Sequence, residues 1–266
     1  MTNESRCLLA SKCAQAGGDN CTKHCELYLG LHGLDGGGGR SGAAGLAEDY
    51  RLVTLTNSPA RADQPGAYKA VDTYAKTFER QFDTEADRIK SLYLYSAKSG
   101  TGKTTTAAAL LNEYLTVHYI GALKRGIQPD QRPTYFLDVN AWQNEYNEFN
   151  RPRVPDAIAE PAAKRYYAAL EAAKRAPFAV LDDIGVRDAT DGFRGDLHTV
   201  INQRVTNRMP TRLYVEYQMA DLPEVFEKRA WRIGSPTNAE RSSRRRIKKE
   251  AAVNERIIIN GNSILT

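Results

Sequence analysis

The stretch Ser96-Ala97-Lys98-Ser99-Gly100-Thr101-Gly102-Lys103-Thr104 places glycines, hydroxyls and a lysine in the order that cradles a polyphosphate. A glycine loop turns several backbone N–H groups toward one anion, and a helix that starts at the loop adds its positive end. Lys103 is expected to reach the β/γ-phosphates of ATP or ADP, and the Thr104 hydroxyl to ligate Mg²⁺. Ser99, Gly100, Thr101, Gly102 and Thr105 are the other cradle residues. The usual pattern opens on glycine where this chain has Ala97, so the match is one residue short. Downstream, Phe178-Ala179-Val180-Leu181-Asp182-Asp183-Ile184-Gly185 is an apolar run that ends in two acids. Beside a phosphate cradle, the first acid of such a pair holds Mg²⁺ and the next polarises a water for attack on the γ-phosphate. Those roles fall to Asp182 and Asp183. Taken alone, Asp-Asp-x-Gly would be two turn acids facing solvent; the glycine loop upstream gives them chemistry to do.

A second set of residues suits a metal. The four cysteines of the chain all lie near its start, as Cys7-x5-Cys13-x7-Cys21-x3-Cys25. Zn²⁺ takes four thiolates tetrahedrally, and the i, i+4 pair Cys21 and Cys25 can share one helical face. So short a segment cannot bury enough surface to fold alone, and bound Zn²⁺ would supply the folding energy. The spacing lacks a tight C-x-x-C pair. Free thiols and a disulfide are the alternatives, the disulfide disfavoured in a reducing compartment. His24 is an alternative ligand beside Cys25.

These residues need elements to carry them. Ser91–Tyr95 reads as a strand entering the glycine loop, and the helical run near Thr104–His118 leaves it. Further strand candidates are Thr134–Val139, Phe178–Leu181, Arg212–Tyr217 and Arg256–Asn260. Helical runs fall near Ala141–Phe149, Pro161–Lys174 and Arg194–Asn207, and an earlier one spans about Tyr68–Phe82. Alternating strands and helices of this kind predict an α/β fold with a parallel five-stranded sheet flanked by helices. The strand at Arg212 could lie between the strands that carry the loop and the acids, with Glu216 or Gln218 at its tip near the γ-phosphate. An exposed strand end is the alternative. The glycine run Gly36 to Gly39 and the Pro-bearing stretch Asn57 to Gly66 read as a flexible linker. The expected division is 1–35 for the zinc-binding segment, 36–66 for the linker and 67–266 for the nucleotide-binding core.

Composition narrows the setting. The 266 residues are 41% apolar with a net charge of +5, enough for a sizeable core. A pI near 8.9 permits weak nucleic-acid affinity without demanding it. No apolar run approaches the roughly 18 residues of a membrane span, and Met1 to Arg6 lack the apolar core of a signal peptide. A cytoplasmic protein with no membrane partner is expected.

Taken together, these stretches resemble the DnaC/DnaI-type AAA+ helicase loaders, in the zinc-finger-bearing form of phages and mobile elements. The resemblance rests on Arg6-Cys7-Leu8-Leu9, Lys12-Cys13, Cys21-Thr22 and Cys25, on Leu92 to Ser96 with Gly100 to Thr104, and on Leu181 to Gly185. Phe193 to Arg204 and Asp221-Leu222-Pro223-Glu224-Val225-Phe226 extend it. It implies an AAA+ ATPase core that binds single-stranded DNA, self-associates, and delivers a replicative hexameric helicase of the DnaB type during replication initiation. It implies that the zinc segment contacts the helicase, and that one subunit lends an arginine finger to its neighbour's γ-phosphate. Arg246 fits that finger's position, with Arg229 the alternative; the basic run Arg241 to Lys249 suits a solvated helix face or DNA phosphates equally well. Alignment on Leu222 puts Glu216 where such loaders carry Asn, and an acid facing the γ-phosphate would repel charge. An IstB-like transposition ATPase and a zinc adaptor that binds ATP with little hydrolysis are the competing readings. The four-cysteine start argues against the first; Glu216 and Ala97 favour the second.

Overall fold

The computed structural model describes residues 2–94, 100–184 and 189–211, with the backbone alone of 95, 212–215, 256–259 and 262–265. A single six-stranded sheet organises them. Its strands are β1 (Leu92–Tyr95), β2 (Thr134–Asp138), β3 (Phe178–Ile184), β4 (Thr211–Val215), β5 (Arg256–Ile259) and β6 (Asn262–Leu265), in the spatial order β2-β3-β4-β1-β5-β6. The first four run parallel. β5 pairs antiparallel with β1, and β6 antiparallel with β5. The expected five-stranded parallel sheet is therefore corrected to four parallel strands extended by an antiparallel pair. The sequence carried the signal: Asn260-Gly261, between β5 and β6, is the dipeptide a two-residue hairpin favours.

Burial explains the central strands. In β3, Phe178, Ala179, Val180 and Leu181 are all fully buried, as a strand covered on both faces requires. Phe178 and Val180 join the core on one face, with Leu92, Leu94, Phe136 and the helix α5 (Lys103–Lys124). Leu181 joins the core on the other, with Leu137, Trp142, Tyr166 and Phe193. That second layer is built by α6 (Val139–Asn150), α7 (Asp156–Arg175) and α8 (Asp191–Thr206). α7 begins at Asp156, ahead of the expected Pro161, which sits inside the helix.

The glycine-rich stretch is not a loose tether. Around it lie α1 (Glu26–His32), α2 (Gly39–Ala43), α3 (Ala60–Asp63) and α4 (Pro65–Ala75), the last continuing into a 3-10 turn over Lys76–Phe82. Gly39 has φ +59°, and a Cβ there would stand 2.7 Å from the Leu31 carbonyl oxygen. Glycine serves here for close backbone approach rather than for freedom. Within 36–66, Arg40, Ala44, Leu46, Leu55 and Ala60 are buried. The Ala44 carbonyl accepts the Phe136 N–H at 2.7 Å, covering the outer edge of β2. Asn112 on α5 donates to the carbonyls of Tyr50 (2.9 Å) and Val53 (2.8 Å). α5 is thus covered on the side away from the sheet too, and Ala107 to Leu111 are all fully buried. No helix among the described residues is long and apolar enough to cross a membrane.

Candidate nucleotide and metal sites

Parallel strands end on one edge of a sheet, and the loops beyond that edge are where α/β folds bind ligands. β1 ends at Tyr95, just before the glycine loop; β2 ends at Asp138 and β3 runs through Asp182 and Asp183. β4 lies between β1 and β3, the position the sequence left open for it. Gly102 caps α5 with φ +84°, and a Cβ added there would come within 2.4 Å of Ala60 Cβ. Both the backbone and the space demand glycine. Lys103 and Thr104 then open the helix, so its positive end faces the loop.

The Thr104 hydroxyl donates to Asp182 Oδ2 at 2.8 Å. This bond joins the glycine-loop helix to the acidic strand, residues far apart in the chain. Asp182 is only 3% exposed, and its carboxyl is pushed up to about 7. Burial is the main cause, and the charges of Asp183 and Asp138 act in the same direction; the hydrogen bond from Thr104 opposes them. A carboxylate kept among acids in a dry site suits a bound cation, and Thr104 and Asp182 are the residues that would hold Mg²⁺. Asp183 has φ +55°, at a register shift between Leu181 and Ile184 against β4. The extra residue of this bulge moves Ile184 into the Leu181 core, where strict alternation would have put it with Val180. Strained backbone of this kind collects at functional sites.

Of the cradle residues, Gly100, Thr101, Gly102, Lys103, Thr104 and Thr105 are described, and Thr104 meets Asp182. Ser99, Glu216, Gln218, Arg229 and Arg246 lie outside the described residues. Asp138 was not anticipated. It pairs in register with Asp182 and accepts the Ala141 N–H at 2.8 Å as the N-cap of α6. Its signal was present in Phe136-Leu137-Asp138, an apolar strand ending in an acid like that at Asp182.

At the other end of the chain, Cys7, Cys13, Cys21 and Cys25 line one small cavity together with Asn3 and Tyr28. None is in a disulfide. Burial pushes the Cys7 thiol up, and the other three thiols add to the effect, so each of them lies within electrostatic reach of Cys7. Four sulfur donors around one space are a set that fits Zn²⁺. Among the described residues, however, no three His, Cys, Asp or Glu side chains are already drawn together as a metal site. The segment rests on α5: Leu8, Leu9 and Leu31 pack with Leu115 and Tyr119, and Lys12 pairs with Glu113 at 2.5 Å.

No family model matches the chain, and no curated protein matches its sequence. Solved structures give weaker likenesses. One is the DnaI, at 17% identity and a TM-score of 0.42, over 67% of this chain and 80% of that one. Another is the DnaC helicase loader, at 22% identity and a TM-score of 0.42, over 67% of this chain and 89% of that one. A third is AMPPCP-bound DnaA from Aquifex aeolicus, at 17% identity and a TM-score of 0.43, over 66% of this chain and 45% of that one.

Proposed function

We propose that this chain is an ATPase that loads a replicative hexameric helicase of the DnaB type onto single-stranded DNA as replication begins. The observation that carries the nucleotide half is the 2.8 Å bond from Thr104 to Asp182, at the strand edge where the glycine loop also sits. Lys103 and the loop amides hold the phosphates of ATP or ADP, and Thr104 and Asp182 hold Mg²⁺. The metal, when bound, offsets negative charge on the β/γ-phosphate oxygens. Asp183 takes the proton of the attacking water. Glu216 and an arginine from a neighbouring subunit, Arg246 or Arg229, complete the site in a self-associated form.

The partner half rests on the resemblance and on the cysteine segment. Cys7, Cys13, Cys21 and Cys25 hold Zn²⁺, which supplies folding energy to residues 1–35. Leu34 is 88% exposed and Leu27 39%, apolar side chains of this segment left for the helicase. The setting is the cytoplasm, where the thiols stay reduced.

ATP turnover with and without single-stranded DNA, and co-purification with the replicative helicase, test the two halves. Turnover lost in Lys103→Ala and helicase capture lost when Cys21 and Cys25 become Ser are expected. A parent protein that turns over no ATP under any condition leaves the adaptor reading in place. Capture that survives zinc removal contradicts the role of the cysteine segment.

A further inference from the structure

The glycine loop is braced from outside the motif. Thr106, in the first turn of α5, donates its hydroxyl to the Gly102 carbonyl at 2.8 Å, beside its own N–H bond to the same oxygen at 2.9 Å. A carbonyl cannot donate, so the single hydroxyl proton of Thr106 is committed there. The Tyr68 hydroxyl lies 3.2 Å from Thr106 Oγ1, and Tyr68 must therefore be the donor. With its own proton used, Tyr68 can only accept from the Ser58 hydroxyl, 2.5 Å away. The chain has one possible polarity: Ser58 to Tyr68 to Thr106 to Gly102. All three hydroxyl side chains are buried, Ser58 at 5%, Tyr68 at 1% and Thr106 at 8% exposure.

The outer end of this chain is fixed as well. Arg61 lies over the Tyr68 ring at 4.8 Å, donates to the Leu55 carbonyl at 2.6 Å, and grips Asp72 of α4 with two bonds of 3.1 and 2.6 Å. Between Ser58 and Arg61, Ala60 presses on Gly102, the residue held at positive φ immediately before Lys103. The relay ends on the peptide whose orientation sets the entrance of α5.

We propose that Tyr68 is a positioning residue of the nucleotide site, holding the Gly102 peptide and the first turn of α5 through this polarised relay of hydroxyls. The inference rests on the nucleotide-binding reading above. Its mechanism is pre-organisation: a loop already in its binding conformation spends less of the phosphate interaction on ordering itself.

The test is the affinity of magnesium and a fluorescent ADP analogue for the full chain and its variants, with circular dichroism confirming that each is folded at the assay temperature. Tyr68→Phe keeps the ring under Arg61 and removes only the hydroxyl. It should weaken binding about three- to tenfold, the span a net hydrogen bond is worth. Ser58→Ala, a smaller change, should weaken it in the same direction. The double variant should bind no worse than Tyr68→Phe alone, because both act through one chain. Tyr74→Phe is the control: it also loses a buried tyrosine bond, to the Lys90 carbonyl at 2.7 Å, but one that leads away from the loop, and it should bind as the parent does. Parental affinity in Tyr68→Phe, or an equal loss in Tyr74→Phe, overturns the inference. If the parent binds and Lys103→Ala does not, such a result sinks the relay alone. If the parent binds no nucleotide, the underlying reading falls and the relay falls with it.

Discussion

At the scale of single residues, Asp182 sets function against stability. Its carboxyl is pushed up to about 7 because burial, Asp183 and Asp138 outweigh the bond from Thr104. Between its unfolded value near 4 and about 7, the folded chain binds this proton more than the unfolded chain does. Stability therefore falls as pH rises through that window, and the whole cost is present above it. Asp182→Asn keeps an acceptor for Thr104 and removes the charge. In magnesium-free buffer at pH 8 the variant should melt about 2–6 °C above the parent, with the gap closing toward pH 4. Thermal melts across that range check this, and a variant that melts below the parent at pH 8 contradicts it. Asp182 and Thr104 were legible in the sequence because an acid-ended apolar strand and Gly-Lys-Thr are local patterns. Tyr68 was not, because it reads as one apolar position on a helix face; only its bond to Thr106, 38 residues further along the chain, gives it meaning.

At the scale of elements, α5 ties the two candidate sites together. Its first turn carries Lys103 and Thr104, and its later turns carry Leu115 and Tyr119 under the cysteine segment. The latch of that segment is His32, which accepts the Leu8 N–H at Nε2 (3.1 Å) and packs against Tyr28 with ring centroids 4.8 Å apart and the rings tilted by 30°. Burial, helped by Arg6, pushes His32 down to about 4. The unfolded chain takes up this proton first, near pH 6.5. The stability His32 contributes is thus complete above 6.5 and is lost as pH falls toward 4. His32→Gln can still accept from Leu8 but cannot titrate. Between pH 6.5 and 4.5 the parent should lose about 2–3 kcal/mol relative to this variant in chemical denaturation. His118, also pushed down by burial, contributes equally to both proteins and cancels in the comparison. Parallel pH curves for the two proteins contradict the latch. The packing of 36–66 was hidden from the sequence for a related reason. Glycine composition reads the same whether the backbone is free or, as at Gly39, pressed against another strand of chain.

At the scale of the molecule, the sheet has a working edge and a structural edge. The α/β alternation that defines them was legible, since each core strand is an apolar run flanked by helical periodicity. Arg256–Asn260 was legible as a strand, but its antiparallel pairing with β1 was not, because the pattern of apolar residues does not carry strand direction; only Asn260-Gly261 marks the hairpin into β6. Opposite the candidate site, where β3 and β4 begin, sits Arg204, fully buried and bonded to no carboxylate among the described residues. Burial pushes its guanidinium down to about 10, so it stays charged at neutral pH. It donates to the carbonyls of Ala173 (2.7 Å) and Ala176 (2.7 Å) at the end of α7, to Pro210 (2.8 Å) ahead of β4, and to Thr211 Oγ1 (2.8 Å). One side chain on α8 thereby joins the end of α7 to the start of β4. Arg204→Met fills similar space but leaves these carbonyls without donors in a dry setting. The cost should be about 3–5 kcal/mol, far more than a lost surface charge. Arg204→Lys should recover only part of it, because one ammonium cannot reach acceptors spread around a planar fork. Denaturant titration of both variants measures this, and a cost under about 1 kcal/mol for Arg204→Met means that water satisfies the carbonyls instead. Nucleotide affinity, read below the melting range, should stay at the parent value in either variant, since the clamp holds the edge of the sheet that the glycine loop does not use.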